Sequence, residues 1–431
     1  MAPSTPLRTS PSPPAGKNRK TVLWVSSTYF TEGLPYMVTR FMSSVFFTDM
    51  GVREAYLGFL NFLGLPWNFK FLWAPFLDIF GTKRGWLVKI QFFVSLFVLA
   101  IAVLAGLRET PQSNFLLSLV AFLFVALAFL SATNDVAIDA YYLEGLTDKQ
   151  DQAAYSGYRV MTYRIAVIFA RSVLVGIAGL ANWFWGFGAG ALTLFIFFLL
   201  HKFYLPRFED ESKVKSRKSK VTFTEVRRNF AESFLSYLKQ EKVGWVLIFV
   251  ATYKLGDEIL FSMNTPFLMR ELGVTKLQLS WIAGIVGAVA TVGGTMLGAW
   301  WIKKVGLKKA IWPLTLLMNI NILAYLVLSE GRPQASTEIG VLLISIVYGY
   351  ENIAAGLGSA ALMVYLMRLC QPQFKAAHYA IGSAIMSLGS TFIGGFGGVI
   401  VEKVGYSNLF LLGFLAAIPS VLLLFKIPLH E

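Results

Sequence analysis

The sequence predicts an all-α polytopic membrane protein with about 12 transmembrane helices in two six-helix repeats. Three observations carry that prediction. Of the 431 residues, 56% are hydrophobic and only 14% are charged, against about 25% charged in an ordinary soluble domain. Hydrophobic runs of ~20–25 residues, each long enough to cross a bilayer, recur along the chain. Short stretches of the first half also return in the second at a nearly constant offset. The 37 Phe and 11 Trp suit lipid-facing and interfacial surfaces.

Residues 1–21 are rich in Pro and Ser and carry four basic residues, Arg8, Lys17, Arg19 and Lys20. They read as a disordered cytoplasmic tail. The first half, 22–204, is expected to cross the membrane at 22–45, 55–77, 87–107, 115–142, 155–180 and 183–204. The second, 244–428, is expected to cross at 244–268, 277–302, 309–328, 339–368, 375–400 and 405–427. The first run carries Glu32 and Arg40 and is too long for the apolar core of a cleavable signal. Most of the 38 Lys and Arg lie in the tail and in every second loop, and few in the loops between. That bias puts both termini and the central loop in the cytoplasm. It also accounts for the net charge of +14, which in a soluble protein would suggest nucleic acid.

The central loop, 205–243, contains KVKSRKSK followed by VTFTEVRRNFAESFLSYLKQ. Phe223, Val226, Phe230, Phe234 and Leu238 recur at helical spacing, and Thr222 with Glu225 fits a capping box. This predicts a helix on the inner leaflet with Arg227 and Arg228 toward the headgroups. A solvated linker helix is the alternative.

The halves match at several points. Asp49-Met-Gly-Val returns as Glu271-Leu-Gly-Val, and Gly81-x-Lys83-Arg84 as Gly306-x-Lys308-Lys309. Glu32 has Asp257 as its counterpart at the same offset. Parallel six-helix repeats place a substrate site near the midplane, between the halves. Small-residue steps at Gly294-xxx-Gly298 and Gly394-xxx-Gly398 let helices approach closely.

Charges then locate the site. Glu32, Arg40, Lys70, Asp135, Arg164, Arg171, Lys254, Asp257, Glu258 and Glu351 all fall inside expected crossings. At ~3 kcal/mol each their gross cost in lipid is ~30 kcal/mol, well above a net stability of ~5–15 kcal/mol. They must therefore be paired or face water. Lys254 reaches Asp257 and Glu258 at i+3 and i+4. Asp135 and Asp139 are like charges one turn apart and need a cation. Arg159 and Arg164, on the next antiparallel helix, lie at suitable depths. With Lys70, Asp78 and Arg84 these residues form a cytoplasmic-side group, either a gate that breaks on opening or a purely structural cluster. Glu32 and Glu351 have no basic residue within four positions. One of them is expected to carry a proton across, with Glu258 as a further proton-coupling candidate, the alternative being a carboxyl bonded to a helix.

Arg164, Arg171 and Lys254, with Asp257 and Asn352, give a cavity with cationic character, suited to a small substrate bearing carboxylate or phosphate. Tyr29, Tyr36, Tyr253, Tyr348 and Tyr350 lie at comparable depth and could stack on sugar rings. One Cys, Cys370, excludes a disulfide framework. His201, His378 and His430 are far apart and without acidic or Cys companions, so no metal site, cofactor or catalytic residue is expected. An intramembrane acyltransferase would want a nucleophile–base arrangement, and only His378 lies near a crossing. The chain therefore reads as a transporter, working as a monomer, rather than an enzyme.

The residues carry a specific resemblance. Asp78, Gly81, Lys83 and Arg84 match the D-x-x-G-x-[KR]-[KR] loop of major facilitators. Glu32-Gly-Leu-Pro35, Lys70-Phe-Leu-Trp-Ala-Pro75, Asp135-x-x-x-Asp139, Tyr253-Lys-Leu-Gly-Asp257, Thr265-Pro-Phe267 and Glu351-Asn352 resemble the AmpG-type muropeptide permeases of the major facilitator superfamily. The resemblance covers nearly the whole membrane region. It implies inward movement of anhydromuropeptides (N-acetylglucosamine, anhydro-N-acetylmuramic acid and stem peptide) across a bacterial inner membrane by proton symport, for cell-wall recycling. Related permeases carry siderophores and acetyl-CoA, so another anionic solute is the alternative cargo. The chain departs from the family pattern in having two Tyr-Arg pairs, Tyr158-Arg159 and Tyr163-Arg164. Arg171 stands where a small residue is expected.

Overall fold

The computed structural model describes residues 19–107, 114–208 and 232–429. Among these the regular elements are helical, and they join into twelve crossings, α1–α12. In the first half α1 comprises Arg19–Met37, Val38–Met42 and Ser43–Asp49 in continuous succession. The second, α2, runs from Glu54–Phe59 to Ala74–Ile79 through 3-10 turns at Leu60–Gly64 and Lys70–Leu72. Then follow α3, Lys83–Gly106, α4, Asn114–Gly145, α5, Lys149–Leu180, and α6, Trp183–Tyr204. In the second half α7 comprises Val243–Thr252, Leu255–Pro266 and Phe267–Glu271. After it come α8, Lys276–Val305, α9, Leu307–Gly331, α10, Glu338–Leu369, and α11, Lys375–Gly395. The final stretch, Gly397–Leu423, breaks at Gly405, where φ is +81°. Its first part closes the loop after α11, and α12 is residues 406–423.

Eight of these helices are apolar and long enough on their own to cross a membrane. The other four explain themselves locally. Pro35 in α1 and Pro266 in α7 each remove a backbone hydrogen bond, and each precedes a π-helical turn, Val38–Met42 and Phe267–Glu271. The 3-10 turns interrupt α2, while α11 is rich in Gly and Ser. The sequence repeats become backbone repeats. Gly51 and Gly273 follow α1 and α7 at φ +73° and +69°, and Gly81 and Gly306 open the turns into α3 and α9 at φ +74° and +83°.

Within each half the apolar faces pack together: α3 on α6, α1 on α5, α8 on α10, α9 on α12. The halves meet along two seams, α2 against α11 and α5 against α8. Close approach at the first depends on Gly398, where a Cβ would fall 1.7 Å from the Glu54 carbonyl oxygen. Among the described residues three ion pairs join the halves, all at the face opposite the termini: Lys276–Asp49 (2.8 Å), Arg270–Glu54 (2.6 Å) and Arg53–Glu402 (2.8 Å).

Two expectations fall partly outside the described residues. The tail is described only from Arg19, where α1 already begins. Thr222, Phe223, Glu225, Val226, Arg227, Arg228 and Phe230 also lie outside. What is described of that segment, 232–238, is helical, with Phe234 and Leu238 exposed as an amphipathic helix requires. Its other face docks on the second half: Tyr237 is buried edge-on to His378, and Ser236 donates to Gln371 (2.7 Å).

Candidate functional site

A cavity of about 720 Å³ opens between the halves, lined by α1, α5, α7, α8 and α10. Each charge expected at the midplane of these helices reaches it. Glu32 and Tyr36 come from α1, Arg164 and Arg171 from α5, Lys254, Asp257 and Glu258 from α7, and Glu351 and Asn352 from α10. Arg164 and Arg171 are seven residues apart, two helical turns, and so share a face. Ser156, Arg159 and Met363 line the end of the cavity nearer the termini. With the opposite face held by the three inter-half ion pairs, the cavity opens toward the face that bears the termini.

The charges resolve into two clusters. In the first half Lys70 pairs with Asp135, and Arg159 with Asp139 at 2.8 Å. Tyr29 donates its hydroxyl to Asp139 (2.7 Å), and the Arg159 guanidinium lies over the Tyr29 and Tyr142 rings at 4.4 and 4.6 Å. Glu32 sits beside Asp135 and Asp139, with Oε2 buried and unpartnered among the described residues. Three carboxyls here share two cations. In the second half Lys254 pairs with Asp257 at 3.6 Å. Glu351 accepts from Asn352 (2.6 Å), with Arg171 and Lys254 as its cationic neighbours. Thr291, on α8, donates to Asn352 (2.9 Å) and fixes its orientation.

Several sequence expectations need correction. Arg164 makes no ion pair among the described residues, because Lys70, sixty-five positions from Asp135 in the chain, takes the place expected for it. Lys254 reaches Asp257 within ion-pair distance but not Glu258. Arg84 stands apart from the acidic cluster: it donates to the carbonyls of Lys202 (2.6 Å), Leu205 (3.0 Å) and His201 (3.4 Å), capping the end of α6. Lys83 likewise donates to the Leu77 carbonyl (2.8 Å), so the basic pair binds helix ends. The side chain of Asp78 lies outside what is described. Tyr253 is a core residue, bonded to Thr315 and to the Gly358 carbonyl, and lines neither chamber of the site. Tyr350 is half-exposed on the outer surface of α10, and Tyr348 lines a separate small chamber. Tyr29 and Tyr36 do line the main cavity, as does Tyr163, which sequence reasoning singled out only as a neighbour of Arg164. Phe261, Thr291 and Ser359 also line it. Phe261 had a signal, lying one helical turn beyond Asp257 and Glu258.

Aromatic walls, an amide, paired and unpaired charges from both halves, and access from one face define a polytopic transporter that admits a small solute at mid-membrane. Comparison with known proteins agrees: the sequence profile of the Major Facilitator Superfamily matches residues 25–355 and 247–431, and the chain belongs to that superfamily. It is 27% identical to the anhydromuropeptide permease of Escherichia coli (strain K12) over 92% of this chain and 77% of that one. A Rickettsia conorii protein named as transporter AmpG 4 is 26% identical over 91% of this chain and 92% of its own. Among solved structures, the xylose transporter XylE of E. coli in its inward-open conformation superposes with a TM-score of 0.66 at 14% identity, covering 95% and 96% of the two chains. The resemblance read from the motifs is thus met along the chain, and the protein is a transporter rather than an enzyme.

Proposed function

We propose that this chain imports anhydromuropeptides into the bacterial cytoplasm by proton-coupled alternating access. In this reading it lies in the inner membrane with both termini cytoplasmic. The observation that carries the reading is the cavity itself. Its volume, about 720 Å³, falls in the ~300–1,000 Å³ range of sites for molecules of several hundred daltons. It offers tyrosine faces for sugar rings and, for substrate carboxylates, two arginines, Arg164 and Arg171, that make no ion pair among the described residues. The name of the Escherichia coli relative points to the same cargo. A proton on Glu32 in the first cluster, or on Glu351 in the second, would balance the surplus carboxyl of each and let it follow the gradient. No cofactor enters this scheme beyond that gradient.

The test is uptake of labelled GlcNAc-anhydroMurNAc-peptide into proteoliposomes with an imposed inward proton gradient. Saturable uptake that collapses with an uncoupler is expected. Absence of saturable uptake, with uptake of a ferric siderophore or another anionic solute instead, would move the cargo and keep the transporter.

A further inference from the structure

Beyond the main cavity lies a second chamber of about 180 Å³, toward the face opposite the termini. Tyr36, Met37, Phe261 and Arg171 line both and form the throat between them. The side chains lining the small chamber include two cations, Arg40 and Arg171, and no carboxylate. Asn61, Asn264, Ser44, Ser262, Thr265 and Tyr348 add neutral polar groups to its wall. Glu258, within the electrostatic reach of Arg40, and Glu351, within that of Arg171, line the main cavity instead.

Both guanidiniums are held by backbone irregularities. Arg40 sits in the π-helical turn Val38–Met42 and donates Nη1 to the carbonyls of Asn61 (2.6 Å) and Leu60 (3.4 Å), in the 3-10 turn that breaks α2. Arg171 sits in the π-helical turn Phe169–Leu174, lies over the Phe41 ring at 4.7 Å, and reaches the Ala283 carbonyl of a third π-helical turn at 3.5 Å. Its Nε is buried without an acceptor among the described residues. Such turns inside helices recur at functional sites. Both guanidiniums are half-buried and closed by no ion pair among the described residues, which leaves them charge to offer a negative ligand.

We propose that this chamber is an anion subsite in which Arg40 and Arg171 together bind one terminal carboxylate of the substrate while its bulk fills the main cavity. This rests on the cavity being the substrate site. At 180 Å³ the chamber admits an amino-acid-sized end, and planar guanidinium groups match a carboxylate fork. Phosphate shares that chemistry, and the experiment separates the two.

Equilibrium binding to the purified protein is measured for GlcNAc-anhydroMurNAc-peptide with a free C-terminal carboxylate and with that carboxylate amidated. Wild type should favour the acid by about tenfold or more, the worth of a charge-assisted hydrogen bond. Arg40→Gln and Arg171→Gln should each bring acid and amide close to parity, and Arg171→Lys should restore part of the preference. A second readout does not need that substrate. N-acetyl-alanine, but not its amide, should raise the thermal midpoint of wild type and of the folded Lys variant, and not of the Gln variants. Equal binding of acid and amide to wild type, or a preference that survives in both Gln variants, overturns the subsite. If no muropeptide binds yet N-acetyl-alanine still stabilises wild type selectively, the muropeptide reading falls and the subsite stands. If only inorganic phosphate stabilises, the carboxylate assignment is overturned in favour of a phosphate ligand.

Discussion

Glu32 in the first cluster and Glu351 in the second make no ion pair among the described residues, whereas Asp135, Asp139 and Asp257 beside them do. Replacing either by Gln keeps size and hydrogen bonding but removes the proton site. The coupling residue is therefore expected to lose accumulation against a gradient while keeping exchange of labelled for unlabelled substrate. Gradient-driven accumulation that persists in both variants would remove coupling from these residues. Arg164 contributes differently, as a cavity cation that makes no ion pair among the described residues. Arg164→Ala should weaken uptake by about tenfold, as expected for one lost charge-assisted contact, with expression and thermal midpoint near wild type. By contrast Lys70→Ala strands Asp135 in the bundle. With the Lys70 side chain 34% exposed, the cost should fall below the ~3–5 kcal/mol of breaking a fully buried pair, and show as reduced yield alongside the transport defect. Sequence spacing supplied the residues of these clusters but could misassign partners. It sees i+3 and i+4 neighbours, whereas the Lys70–Asp135 pair joins α2 to α4.

At the scale of single helices, the breaks carry the function. Pro35 and Pro266 stand in motifs legible in the sequence, yet the π-helical turns that follow them were not legible, because a π turn is set by what the surrounding helices accept. The glycine steps were legible and have a measurable consequence. Gly398→Ala would place a methyl group against the Glu54 carbonyl where α2 meets the end of α11. The two halves should then separate at that face, raising labelling of a cysteine at Ala55 by a membrane-impermeant maleimide. Labelling at the wild-type rate would show that the seam gives way elsewhere. The central segment illustrates the opposite limit. Its amphipathic pattern predicted a membrane-surface helix, but that Tyr237 would pack on His378 depends on the end of α11, which lies far along the chain.

For the molecule as a whole, the three inter-half ion pairs set the balance between open and closed faces. The Lys276–Asp49 and Arg270–Glu54 pairs are partly exposed, so each contributes ~0.2–1 kcal/mol, and loss of either shifts the two-state ratio by at most about fivefold. Only together do they hold one face shut. Asp49→Asn combined with Glu54→Gln should therefore shift inter-half distances measured by spin labels well beyond either single variant; additive small shifts would agree, and no shift would deny the clamp. The Arg53–Glu402 pair adds a pH term. Its hydrogen bonds from Arg53 and the Ala55 amide hold the Glu402 carboxyl below its ordinary value. A group depressed in this way favours the paired state above its unpaired pKa and loses that contribution as pH falls through the lower, paired one. Acidification below the usual carboxylate range of about 4.3 on that face should loosen the clamp, and Glu402→Gln should mimic it at neutral pH in the same spin-label distances.

By itself the sequence determined the solvent, the number of crossings, the repeat and the charges that could not face lipid. Those follow from hydropathy, helical period and the cost of burying charge, all local along the chain. Tertiary structure alone decided that Lys70 rather than Arg164 takes Asp135, that Arg84 caps a helix, that Arg40 and Arg171 share a chamber, and which face stands open. Each of these depends on helices remote in sequence meeting side by side, and the apolar faces that bring them together are too alike for spacing to say which will meet.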